Sequence, residues 1–167
     1  SNIGDSGYYV ACEAETGMYG IIDENYEWIC ESEYSGIYKV WNGSTDNLVK
    51  VNEEYLLIAV YDFQEGHGAE IINEYGGTIV PMEYYDINAQ CGMNRLIVEN
   101  SEGYYGAIDL NGNLEIACQY DELGDFSYDE ETYAMKDGAV FAVDIYGNER
   151  FLTNADDCWQ IDSNLYE

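Results

Sequence analysis

One pattern recurs along this chain at a nearly fixed spacing, and it restricts the fold to a series of similar units. An aliphatic residue followed by an acid or an amide occurs at Ile22-Asp23, Ile72-Asn73, Ile108-Asp109 and Val143-Asp144. Asn73 lies 50 residues after Asp23, Asp109 lies 36 after Asn73, and Asp144 lies 35 after Asp109. Three positions beyond these anchors stand Gly76, Gly112 and Gly147, with Tyr26 in the first copy. Eleven positions beyond stand Tyr34, Tyr84 and Tyr120, with Ala155 in the fourth. Several matched columns at one period of ~20–50 residues mark a repeat array.

The cleanest copy runs from Gly103 to Asp121 and reads as strand, tight turn, strand, because apolar residues flank Asn111-Gly112. A further strand precedes it in each full period, at Tyr8 to Ala14, Leu96 to Glu99 and Thr132 to Lys136. A period of ~35 residues holds about three short strands with their turns. No segment carries a sustained apolar stripe of helical period; a single turn of helix is expected near Asp121 to Tyr128. The expected fold is all-β: about four ~35-residue repeats of short antiparallel strands, stacked as open hairpins, with a small closed β-propeller as the alternative.

The pattern aromatic-Gly-x-Ile-Asp-x-x-Gly followed by aliphatic-x-x-x-Tyr-Asp resembles the bacterial WG (KWG-like) repeat. It is carried by Tyr19-Gly20-Ile21-Ile22-Asp23, Tyr105-Gly106-Ala107-Ile108-Asp109 and Phe141-Ala142-Val143-Asp144. Its tail shows in Val80-Pro81-Met82-Glu83-Tyr84 and Ile116-Ala117-Cys118-Gln119-Tyr120-Asp121. The naming Trp is absent, and the second copy has Ala69-Glu70 in place of the aromatic-Gly pair. The resemblance spans Tyr9 to Phe151. It implies a β-rich repeat module of a bacterial protein that serves protein–protein interaction or other binding and has no enzymatic chemistry. An extracellular or cell-surface setting is favoured over the cytoplasm.

The domain reading follows. Residues 1–7 read as a flexible lead-in, with Ser1-Asn2 a possible cloning remnant; residues 8–151 form the repeat domain; residues 152–167 form a C-terminal cap. The excess length between the first two copies lies near 38–55 and reads as an inserted hairpin carrying Lys39, Trp41 and Lys50. Insertions in repeat proteins map to loops on one face, often the binding face.

Charge excludes some partners. Acidic residues number 34 against five Lys and Arg, a net of −29. Such a surface repels phosphate backbones and anionic membranes, so neither nucleic acid nor membrane is an expected partner. No apolar run is long enough to insert across a bilayer, and no signal core is evident. Five cysteines without a C-x-x-C pair, and one His, argue against zinc. No metal or cofactor is expected. Cys30 shares a column with Val80 and Ile116 and should pack as a small apolar side chain in the core. A Cys12–Cys158 disulfide stays open.

Candidate chemistry is sparse. Paired carboxylates could serve a glycoside hydrolase, but no spacing selects a pair among so many acids. Asp109 to Asn113 resembles half a calcium loop; the distal ligands do not follow in order, which favours a hairpin turn. His67, between Gly66 and Gly68, reads as a turn residue. Aromatics that recur, such as Tyr34, Tyr84 and Tyr120, or Tyr19 and Tyr105 with Phe141, belong to the core. Aromatics that do not recur are Trp41, Tyr85, Tyr104 and Trp159, and these are the candidate binding residues. The expectation is a non-enzymatic binding module with a protein or glycan partner. A carbohydrate-binding module is the second reading and a carboxylate-dependent glycosidase the third. Trp41 is read as an exposed anchor in preference to a lid on the core.

Overall fold

The computed structural model describes residues 1–64 and 66–157. The protein is all-β. The first sheet holds β1 (Tyr9–Cys12), β2 (Tyr19–Ile22) and β3 (Trp28–Tyr34) in that order. The second orders β4 (Gly36–Lys39), β7 (Glu54–Phe63), β8 (Gly66–Asn73) and β9 (Thr78–Tyr84), with β6 (Lys50–Val51) also paired to β7. The third orders β10 (Asp86–Ile87), β12 (Leu96–Glu99), β13 (Tyr105–Ile108) and β14 (Leu114–Tyr120). The fourth orders β15 (Glu122–Leu123), β16 (Glu131–Lys136), β17 (Ala139–Asp144) and β18 (Glu149–Asn154). A two-stranded parallel ladder joins β5 (Trp41–Asn42) to β11 (Gln90–Cys91).

The anchor column makes the turns. Asp23 Oδ1 accepts the N–H groups of Asn25 and Glu27, at 2.8 and 3.0 Å. Asn73, Asp109 and Asp144 accept the equivalent pairs at 2.8–3.0 Å. The next column must then turn left-handed: φ is 82° at Gly76, 88° at Gly112 and 83° at Gly147. Glycine adopts this conformation without steric cost. Tyr26 adopts it too, with φ 64°.

Three of these hairpins share one register. Tyr19 faces Tyr34 and Ile21 faces Cys30; Ala69 faces Tyr84 and Ile71 faces Val80; Tyr105 faces Tyr120 and Ala107 faces Ile116. Each has a bulge between the two pairs, placing extra residues on the second strand. The fourth hairpin differs. Phe141 stands three residues before its anchor, whereas Tyr19 and Tyr105 stand four before theirs, and it faces Phe151. Phe141 therefore does not share the column of those tyrosines.

The chain passes from sheet to sheet through one residue. β3 gives way to β4 across Ser35, β9 to β10 across Tyr85, and β14 to β15 across Asp121. In each case the crossing N–H donates into the second strand of the next sheet, to the carbonyls of Val60, Glu99 and Met135, all at 2.8 Å.

Three cores lie in series between successive sheets. Val10, Ile21 and Tyr34 meet Ile37, Leu57, Ala59 and Ile72. Leu56, Ile58, Ile71 and Val80 meet Ile87, Leu96, Val98 and Ile108. Ile97, Ala107, Ile116 and Tyr120 meet Phe126, Ala134 and Val143. Adjacent residues on β7 and β12 thus serve opposite cores, which explains their unbroken apolar runs. No core among the described residues joins the fourth sheet to the first, as closure into a propeller would require.

Several expectations change. Residues 1–7 are tied down: Ile3 is fully buried, and Val10 N–H donates to the Ser1 carbonyl at 2.8 Å. The inserted segment is not free of the core, since Val40 and Val49 are buried in it. The stretch 121–128 holds a short strand and no helix; the helical geometry described is a 3-10 turn at Ala155–Asp157. Leu152 and Asn154 belong to β18 and so to the last sheet, while residues 158–167 lie outside the described residues. Cys30 is half-buried, in contrast to the buried Val80 and Ile116 of its column, and burial followed by neighbouring carboxylates pushes its thiol pKa up.

Two predictions follow from the turns. Left-handed geometry at a non-glycine residue costs about 1–2 kcal/mol, and glycine gives back about 0.5–1 kcal/mol of that in chain entropy. Tyr26→Gly should therefore raise unfolding stability by up to about 1 kcal/mol in urea titration. At Asp109, burial raises the carboxyl pKa, but bonds from Asn113 and Asn111 outweigh it and leave the group below its ordinary value. The charged form stabilises the fold above the ordinary pKa, and that contribution is lost as pH falls through the lower folded pKa. Asp109→Ala should cost about 1–2 kcal/mol at neutral pH, as loss of a cap does. Asp109→Asn should cost less, since Asn73 already fills this position in the second hairpin. The gap between parent and Asp109→Ala should shrink below about pH 4.

Candidate functional site

In the second, third and fourth sheets the linkers that follow the first strand, residues 40–53, 88–95 and 124–130, pile against one another. Trp41 N–H donates to the Ala89 carbonyl at 2.9 Å, and Gly43 N–H donates to the Cys91 carbonyl at 2.8 Å. A Cβ on Gly92 would overlap the backbone of Phe126 and Ser127. Gln90 Nε2 donates to Ser127 Oγ at 2.9 Å, and Ser127 is buried. Asn42 Oδ1 folds the tip of the inserted segment, accepting from Ser44 N, Ser44 Oγ and Thr45 N at 2.9–3.2 Å. The backbone here is fixed by the adjoining linkers.

On this base lies a cleft of about 420 Å³ bounded by Trp41, Asn42, Asp46, Asn88, Gln90 and Tyr128. Trp41 is 44% exposed and Tyr128 87%. Asn88 Oδ1 accepts the Gln90 N–H at 2.9 Å, which leaves the Asn88 amide NH₂ to donate. No hydrogen bond among the described residues engages Gln90 Oε1 or the Asp46 carboxylate. Two aromatic faces with a few unengaged polar groups are what a ligand with an apolar face and many hydroxyls requires.

The four expected site residues are not brought together. Trp41 lines this cleft. Tyr85 is the crossing residue between the second and third sheets and stacks on His67, with ring centroids 4.2 Å apart. His67 sits in β8 and not in a turn, with Nδ1 3.2 Å from the Asp62 carboxylate. Beside it is a more apolar groove of about 560 Å³ lined by Tyr61, Phe63, His67 and Met82. Tyr104 borders a third depression with Gln119 and Lys136. Trp159 lies outside the described residues. Tyr128, Asn88, Gln90 and Asp46 escaped the sequence reading. Tyr128 meets the same test of non-recurrence, but it falls in the stretch read as a helical turn.

The anchor carboxylates are occupied by turns. Asp109 takes the two backbone N–H groups and the Asn113 side-chain amide at 2.9 Å, which supports the hairpin reading of that loop.

Fold and cleft together define a class: an acidic all-β protein of small antiparallel sheets in series, with an aromatic cleft along its linkers. No family model, curated protein or solved structure matches the chain.

The cleft's two kinds of residue should separate in thermal unfolding. Trp41→Ala removes a half-exposed side chain and should change stability by less than about 1 kcal/mol. Gly92→Ala forces a side chain against neighbouring backbone and should cost about 1–3 kcal/mol.

Proposed function

We propose that this protein is a non-enzymatic binding module built from WG-like repeats, and that the Trp41–Tyr128 cleft takes a glycan. The observation behind this reading is the pairing of two exposed aromatic faces, from separate linkers, over unengaged amide and carboxylate groups. Rigid aromatic side chains give contact area at little entropic cost, and backbone bonds from Trp41 and Gly43 to the adjoining linker hold the Trp41 side of the cleft. Hydrolysis fits poorly, since the usual mechanism needs two carboxyl groups across the bond and, among the described residues, Asp46 is the one carboxylate lining the cleft. A protein partner has its own support in the groove of Tyr61, Phe63, His67 and Met82 beside Tyr85, where apolar lining predominates. A bacterial extracellular or cell-surface setting accords with a glycan ligand.

A glycan array followed by calorimetry tests the reading. Trp41→Ala and Tyr128→Ala should each weaken the best glycan by roughly ten-fold or more, as buried aromatic anchors do. An array without hits, or affinity unchanged in both variants, would overturn the glycan reading.

A further inference from the structure

We infer that the outer face of the first sheet is a second binding surface, and that it takes a cationic segment of a protein partner in which Lys or Arg flank apolar residues. None of the residues of this face lines the aromatic cleft, and the inference does not depend on the glycan reading.

Alternation along β1 and β2 gives the sheet two faces. Val10 and Ile21 are direct cross-strand partners and enter the first core. Tyr9 pairs with Ile22 and Ala11 with Gly20, so these four belong to the other face; Trp28, opposite Ile22 on β3, joins them. In each later sheet the residue before the anchor is fully buried against the preceding sheet: Ile72, Ile108 and Val143. Ile22 holds that place in the first sheet and stays half-buried. Its partner Tyr9 is exposed where Leu57 and Leu96 are buried. Trp28 stands where the later sheets have Thr78, Leu114 and Glu149. A large aromatic therefore stands on a face that no sheet among the described residues covers.

A preceding repeat of the same kind cannot cover it. Stacking brings the left-handed glycine of each turn against the strand before it: a Cβ on Gly76 would overlap Cys30, and one on Gly112 would overlap Val80. The first turn has Tyr26 in that place, 82% exposed, and its Cβ would obstruct the same approach.

A second copy seated on the same face is disfavoured by charge. Between Tyr9 and Tyr34 the chain has seven acidic residues and no Lys or Arg. Glu24 and Glu27, in the turn that holds Tyr26, and Glu31 on β3 are exposed, and no salt bridge among the described residues engages them. Two such faces would bring like charges together. A cationic segment meets both needs: its apolar side chains cover Tyr9, Ile22 and Trp28, and its charges meet the carboxylates. An apolar patch with a charged rim has the form of a protein interaction site.

Two synthetic peptides of equal length and charge test this, one alternating Lys with Val and the other alternating Lys with Ser. Binding is measured by calorimetry at about 0.15 M salt, where charges more than ~8 Å apart are largely screened. The Lys-Val peptide should bind at least roughly ten-fold tighter, because it alone brings apolar side chains to the face. Tyr9→Thr/Trp28→Thr should remove that difference and remain folded, since Thr132 and Thr78 fill these places in the fourth and second sheets. Glu24→Gln/Glu27→Gln should weaken both peptides. In the parent protein, whose folding no substitution disturbs, the Ile22 methyl resonances should shift as the Lys-Val peptide is added. Equal affinity for the two peptides would reduce the effect to diffuse attraction and overturn the inference, as would binding that leaves the Ile22 methyls unmoved. A dimer of the parent in sedimentation, lost in the Tyr9→Thr/Trp28→Thr variant, would make a second copy the occupant and overturn it too.

Discussion

Each of the four anchor turns presents backbone N–H groups that need an acceptor, and one side-chain oxygen meets that need in all four. Asp23, Asn73, Asp109 and Asp144 each accept two N–H groups two and four residues ahead. This fixes the left-handed residue that follows, and that residue is also where one hairpin meets the previous one. A Cβ on Gly76 would run into Cys30; on Gly112 it would run into Val80; on Gly147 it would crowd the Glu115 carbonyl and Ile116. The column of Cys30, Val80 and Ile116 is thus the surface against which the next turn rests. Turn chemistry and stacking order are one constraint.

The same logic recurs in the tyrosines eleven residues beyond the anchor. Tyr34 donates to Glu70 at 2.8 Å and Tyr120 donates to Glu149 at 2.6 Å, each reaching a carboxylate in the following sheet. Burial and then these carboxylates push both hydroxyls well above the ordinary tyrosine range. Glu70 is buried, and there a neutral donor satisfies an acid that would otherwise be costly to place between sheets; Glu149 is exposed and is paired with Lys136 as well. This is one way so acidic a chain can pack its sheets with few cations.

What was legible in the sequence follows from this repetition. The Asp or Asn anchors, the glycine column and Tyr34 and Tyr120 recur because every unit solves the same turn and the same packing contact. Trp41 was legible as the residue that fits no column. The parts that were hidden do not repeat in sequence although they repeat in space. Two-residue strands such as Trp41–Asn42 and Gln90–Cys91 carry no periodicity, and their parallel pairing joins residues nearly fifty positions apart. Ile3 was hidden because a lead-in of small and polar residues gives no pattern, yet it fills the position beside β1 that β4 fills beside β7. Phe126 and Tyr128 lay in a stretch too short to show strand alternation, and the resulting helical reading concealed both a core residue and a cleft wall.

The division between repeated and unrepeated residues is also a division of labour. Substituting a column residue disturbs a turn, its register and the contact with the next hairpin together, so these positions have little freedom to vary for binding. The linkers that follow the first strands are anchored mainly through backbone groups: Trp41 to Ala89 and Gly43 to Cys91 in the next linker, and Asn88 to Ile97 in its own sheet. Some of their side chains keep structural partners, Gln90 on Ser127 and Asn88 on the Gln90 N–H, while Trp41 and Tyr128 are among those left facing solvent. A scaffold held largely through backbone contacts leaves such side chains free to vary, whereas the residues of the motif that defines the fold are not.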